Sequence, residues 1–320
     1  MVDALQRPRG ETVETSDPRE AQRVRNAGRR RQEQIFRVAG LAATTVGLLA
    51  LAALVIDLLV TGAPRLSWDF VTSFPSRRAS QAGILAAWVG SLLVILVTAF
   101  VAVPTGIAAG IYLEEYAPRN RLTDIIEINV SNLAGVPSII YGLLALGLFV
   151  YGLGTGRSIF TAGLTLALLI LPIIIVSTRE AIRAVPGSLR EAALGLGATD
   201  WQVTRDHVLP AAAPGVITGV IIGISRALGE TAPLITIGAL TFIAFLPTTP
   251  VQTTFPYFNM QWLWDGFTVL PIQSFNWISR PGNDFQANAA AASVVLLVIT
   301  LGLNGVAIWL RARLRKRLQW

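Results

Sequence analysis

Cysteine is absent from this 320-residue chain, and histidine occurs once, as His207. That inventory cannot supply a disulfide framework, a cysteine redox centre or a Cys/His zinc site. Lysine is just as scarce: Lys316, in the closing basic run RLRKRLQW, stands alone. A nucleotide-binding P-loop needs G-x-x-x-x-G-K-[ST], with its lysine reaching the phosphates, so no such site is encoded here. The patterns G-x-S-x-G and H-E-x-x-H are missing too. Charged residues make up 14% of the chain, against about 25% in soluble domains.

What is present is apolar sequence gathered into blocks. Crossing about 30 Å of hydrocarbon takes about 20 apolar residues in a helix. Candidate spans are 38–60, 83–112 (with Pro104), 125–153 (with Pro137), 159–178 (with Pro172), 211–247 and 287–310. The block 211–247 is too long for one crossing. Gly229 and Pro233 suggest a break, leaving either one span with a bent outer segment or two spans.

Charge chooses between them, because cytoplasmic loops carry the excess of Lys and Arg. With six spans and the N-terminus inside, the inner segments 1–37, 113–124, 179–210 and 311–320 hold 20 Lys and Arg, and the outer loops hold 5. A seventh span would put the basic tail 311–320 outside. The sequence therefore predicts an all-α integral membrane protein of six transmembrane helices, with both termini cytoplasmic. The net charge of +7 serves orientation, and no nucleic-acid partner is expected.

The organisation expected is a basic, disordered segment 1–37 resting on anionic membrane lipid, a permease domain 38–310, and a basic tail 311–320. Loop 248–286 is rich in aromatics, including Phe255, Trp262, Trp264, Phe267 and Trp277. It is either an interfacial aromatic belt or a docking surface for an external protein.

Segment 179–210 reads REAIRAVPGSLREAALGLGATDWQVTRDHVLP. Ser188 and Glu191 have capping-box spacing, which predicts a helix over 189–196 closed at Gly197. A second helix is expected over 200–208, stopped by Pro210. Two short helices joined at a glycine make a projecting knob.

This segment resembles the signature loop of ABC importer permeases: Glu191, Ala192, Ala193, then Gly197, then Leu209 and Pro210. His207 stands where that family usually has an aliphatic residue. GIYLEEYAPRNRL at 110–122, NLAGVPSIIYGLLAL at 132–146, SRALGETAPLI at 225–235 and LPIQSFNWISRP at 270–281 are similar to the phosphate-specific, PstA-type branch. The similarity runs from about residue 83 to 311. It implies a type I ABC importer permease fold, inorganic phosphate as cargo and the bacterial cytoplasmic (inner) membrane as location. It also implies a PstC-like second permease, a PstB-like ATPase dimer meeting the knob, and a PstS-like phosphate-binding protein outside. ATP and Mg would be bound by the ATPase, and no cofactor by this chain. Import of another small solute and an ion-coupled carrier acting alone are the alternatives.

In 211–247, Gly215, Gly219 and Gly223 recur every four residues, a stripe that permits close helix packing. At 100° per residue Arg226 and Glu230 share that face, so it should point into the bundle. Arg226 then either locks packing by pairing with Glu230, or offers a planar fork of donors to a phosphate oxyanion. Asn129, Ser131, Asn132, Ser138 and Tyr141 put further polar groups on the third span, for helix–helix hydrogen bonds or the same path.

Overall fold

A computed structural model describes residues 18–318 apart from 241, 252–254, 256, 281 and 282; for 18–32 and 314–318 it gives the backbone alone. The chain divides after Asp57 into two compact units.

Helix α1 runs Pro18–Gly62. Disorder was expected up to residue 37, but the helix occupies 18–37 as well. Arg, Gln, Glu and Ala fill that stretch, all good helix formers. Pro18 opens it at a position whose N–H would have no partner in any case. Residues 1–17 lie outside the described residues.

In the second unit, α2 (Trp68–Thr72) is capped by Ser67, whose side chain accepts from Phe70 N. Helix α3 spans Leu85–Ile111 and closes in a π-helical turn, Tyr112–Tyr116. Helix α4 (Arg121–Leu133) starts on Asn120, whose side chain accepts from Thr123 N. Helix α5 (Ser138–Ala145) continues into a π-helical turn, Leu146–Gly152. Helix α6 spans Ile159–Arg183. The rest are α7 (Gly187–Gly195), α8 (Asp200–Gln202), α9 (Leu209–Gly229), α10 (Ala232–Thr236), α11 (Leu270–Ile278) and α12 (Gln286–Leu318).

Helix α6 is the axis of the unit, packed along α3 on one side and α9 on the other. Its Leu166, Ile170 and Ile174 are fully buried. Glycine makes the approach close: a Cβ on Gly106 would meet Ile174 at 2.7 Å. Thr98, also buried, donates across the same seam to Gly163 O at 3.2 Å. Pro104 and Pro172 stay within continuous helices.

Among the described residues, five segments are long and apolar enough to cross a membrane: Glu33–Arg65, Leu85–Tyr116, Ile159–Arg183, Asp200–Gly229 and Gln286–Arg313. The remaining apolar block, 125–153, is broken. It forms α4 and α5, bent by 106°. Pro137 holds its own backbone extended at φ −54°, ψ 133° and disfavours the helical region at Val136, and Gly135 adds no resistance. Block 211–247 resolves into a single crossing helix that ends at Gly229, followed by the short α10.

Two further expectations change. Pro210 does not stop the second knob helix, because α8 passes through a π-helical turn, Val203–Val208, directly into α9. The widened turn absorbs a proline that lacks an N–H. Loop 248–286 is not all surface: α11 packs against α3 and α12, and Phe267 and Trp277 are buried while Phe255 and Trp264 stay exposed.

Candidate functional site

Three features converge on α9 and the helices around it. The first is the charge pair. Arg226 Nε donates to Glu230 Oε1 at 3.2 Å, one helical turn apart. Arg226 sits in the last turn of α9, where a cation complements the helix dipole. Glu230 caps that end in an extended conformation, φ −77°, ψ 126°. The side chain of Glu230 is 18% exposed and that of Arg226 37%. Glu230 borders a small pocket of about 10 Å³ with Ser91, Leu234 and Val269, the space of one water molecule.

The glycine stripe faces α6. A Cβ on Gly215 would meet Ala181 Cβ at 2.6 Å, and one on Gly223 would meet Ile174 at 3.3 Å. At Gly219 it would overlap the Ser177 side chain. Glu230 turns inward as the helical arithmetic predicts, whereas Arg226 sits at the edge of that face, half-buried.

The second feature is the knob. Helix α7 closes at Gly197, which takes φ +86°. Gly197 N donates to Leu194 O at 2.9 Å and Ala198 N to Ala193 O at 3.1 Å. Ala193 is buried against Val185, Val203 and Val208; Glu191 and Ala192 face outward, and Leu209 and Pro210 are half-buried. The capping box does not form at Ser188 and Glu191, because Pro186 takes the cap position of α7 with no side-chain bond. It forms instead at Thr199 and Gln202, opening α8. Leu196 is 90% exposed and Trp201 55%. His207 is exposed in the π-helical turn.

The third feature was not foreseen. The turn Tyr112–Tyr116 carries adjacent carboxylates that anchor three arginines. Glu114 accepts from Arg183 at 3.0 and 2.9 Å. Glu115 accepts from Arg190 of α7, most closely at 2.6 Å. Arg190 also donates to Val185 O and Ile182 O, at 2.8 and 3.0 Å, satisfying carbonyls at the end of α6. Arg179 lies 2.6 Å from Glu127 of α4 through Nη2, and 3.4 Å from Glu114 through Nε. Tyr116 donates to Thr204 at 3.2 Å. Partners about 70 residues apart leave no local signal. The visible hint was the acidic pair LEEY closing one apolar block and the arginines closing another.

Of the polar residues on the third block, Tyr141 donates to Leu133 O at 2.8 Å, bridging the bend between α4 and α5. Asn129 bonds back to Ile125 O. Ser131 and Asn132 line an open groove of about 400 Å³ with Glu127, Arg179 and Arg183.

Residues 102–320 match the family model described as binding-protein-dependent transport system inner membrane component. The chain belongs to that family. Permeases of this family are transport subunits rather than enzymes, and ATP is hydrolysed on a separate subunit. A probable ABC transporter permease protein, YqgI of Bacillus subtilis, is 32% identical over 82% of this chain and 88% of its own length. The phosphate transport system permease protein PstA of Haemophilus influenzae is 31% identical over 81% of this chain and 86% of its own. Among solved structures, a chain of a bacterial alginate ABC transporter superposes with a TM-score of 0.59 at 15% identity. It covers 87% of this permease and 93% of that chain. A chain of the inward-facing MetNI methionine ABC transporter gives 0.54 at 19%, covering 72% and 94%. The bundle is therefore the type I ABC importer permease fold, in a multi-pass membrane protein.

Proposed function

We propose that this permease carries inorganic phosphate inward across the bacterial inner membrane, as one half of a permease pair driven by ATP. The observation that carries the cargo assignment is its kinship, over about four-fifths of its length, with permeases named for phosphate transport. The chemistry of the wall supports it. A guanidinium held at one edge by a carboxylate keeps other donors free for an oxyanion. Glu230 holds Arg226 when no cargo is present and accepts a hydrogen bond from a protonated phosphate when it is. The one-water cavity beside Glu230 means that passage requires α9 and its neighbours to part.

The partners follow from the same reading. A PstC-like permease supplies the facing wall, against the half-exposed side of Arg226. A PstB-like ATPase dimer, holding ATP and Mg, receives the knob with its bare Leu196 and Trp201. A PstS-like binding protein delivers phosphate to the aromatic surface around Phe255 and Trp264. The complex reconstituted in liposomes should hydrolyse ATP faster when binding protein and phosphate are added together. Stimulation by a different solute and not by phosphate would reassign the cargo. Solute uptake by this chain alone, without ATP, would replace the importer with an ion-coupled carrier.

Orientation gives a second test. Both termini and the knob are placed in the cytoplasm by the excess of arginine on those segments. Reporters fused after residues 120, 200 and 315 should register as cytoplasmic, and those after 72 and 265 as external. A cytoplasmic signal at 265 would refute the six-crossing arrangement.

A further inference from the structure

Three consecutive residues of one turn each grip a different part of the bundle. Glu114 holds α6, Glu115 holds α7, and Tyr116 holds the π-helical turn that leads into α9. Arg190 uses all three of its nitrogens: besides Glu115 it binds Ile182 O in the last turn of α6 and Val185 O just beyond it. Helix α7 is thus fastened to the ends of α3 and α6 together. Breaking one partner from a poorly hydrated ion pair is costly, so these ends move as a block.

Helix α4 is joined to the block differently: besides packing on α6, its Glu127 pairs with Arg179. The side chain of Arg179 is 8% exposed and reaches Glu127 of α4 at 2.6 Å and Glu114 at 3.4 Å. Both approaches are ion pairs without an aligned hydrogen bond, and Arg179 Nε is buried with no acceptor. A buried guanidinium N–H without an acceptor is a standing penalty. It is removed if Arg179 shifts toward Glu114 and releases Glu127, which at 33% side-chain exposure can take up water instead. Arg183 already binds both oxygens of Glu114, but each carboxylate oxygen can accept a second bond, so two arrangements of these four charges are available, one with α4 tied to the block and one with it released. A coupling element needs such a pair of discrete states.

We propose that Arg179 is a positioning residue that hands the displacement of α7 to the bent pair α4–α5, exchanging Glu127 for Glu114 as it does so. The proposal rests on the ATP-driven importer reading, but not on phosphate being the cargo. It gives Glu127 and Arg179 a part in timing the opening of the path, with no contact to the cargo itself.

The test uses the whole transporter in liposomes, reading uptake and ATP hydrolysis in the same sample. The chain has no cysteine, so a cysteine pair can be placed without background at Ile128 and Val176, which border one groove beside Arg179. Closing that pair with a reducible thiosulfonate cross-linker should lower uptake about tenfold or more, and reductant should restore it. Uptake unchanged by the closed cross-link would overturn the proposal. In the complementary variant, Glu127→Gln, solute moved per ATP should fall about tenfold, the scale of a coupling residue lost between two states, with the complex assembled in normal amount. A normal ratio in that variant, or poor assembly combined with a harmless cross-link, would make the cluster a static staple. A wild-type complex that answers to another solute would fail the phosphate assignment alone, because the ratio is then read with that solute.

Discussion

Replacing Arg226 with glutamine should cut phosphate uptake about a hundredfold, close to 3 kcal/mol, while the complex still assembles and keeps its basal ATP hydrolysis. Glutamine retains a polar side chain but loses the charge and the planar fork that an oxyanion needs. The competing account is that Arg226 merely neutralises Glu230. Removing one member of a poorly hydrated pair leaves the other charge uncompensated, so assembly should then suffer first. The double variant, Arg226→Gln with Glu230→Gln, separates the two. If it assembles well and remains inactive, the guanidinium serves cargo; uptake at the native rate would make the pair structural. Arg226 is half-buried in the single chain, so under the proposed pairing its role would also depend on what a facing permease presents to it.

Gly197→Val should abolish coupled uptake while the chain still inserts and the bundle folds. At φ +86° a valine is strained by about 1–3 kcal/mol whatever the space around it. The space is in fact open: a Cβ on Gly197 would touch nothing within 4 Å, and the same holds for Gly195 two residues earlier. Gly195 lies in α7 with ordinary helical backbone. Gly195→Ala is therefore the matched control and should leave uptake within about twofold of wild type, since it trades glycine for a better helix former. Glu191→Lys, on the exposed face of α7, should reproduce the Gly197→Val loss if that face meets the ATPase. The measurement is uptake and stimulated hydrolysis against the amount of chain in the membrane. Normal uptake by either loop variant would detach the knob from the mechanism.

Much of this molecule was legible because membrane helices declare themselves locally. Long apolar runs located every crossing helix, and Gly229 with Pro233 marked where α9 ends. Gly197 announced the turn it makes, since few other residues close a helix in that conformation. The bend at Gly135–Pro137 was not legible, and the reason is instructive. Pro104 and Pro172 carry the same warning, yet both sit in continuous helices, held there by the tight α3–α6 seam. A proline breaks a helix only when packing on either side does not hold it, and packing is not written beside the proline. The capping box failed for a similar reason. Ser188 and Glu191 have the right spacing, but Pro186 had already set the start of α7, and the pattern at Thr199 and Gln202 was the one used. The carboxylate–arginine cluster was invisible because Glu115 and Arg190 are 75 positions apart.

The right-angled junction of α4 and α5 has a mechanical meaning. When two helices run on in line, turning the first about its own axis leaves the far end of the second where it was. With a bend of 106° the same turn sweeps the second helix through an arc. The arm from Ser138 to Gly152 is about 22 Å long at helical rise, so a 10° roll of α4 carries its tip about 4 Å. Tyr141, bonded across the elbow to Leu133 O, keeps the two limbs from flexing independently. In the coupling proposed above, the segment would act as a crank, turning a small axial twist at Glu127 into lateral travel at the opposite end of the arm.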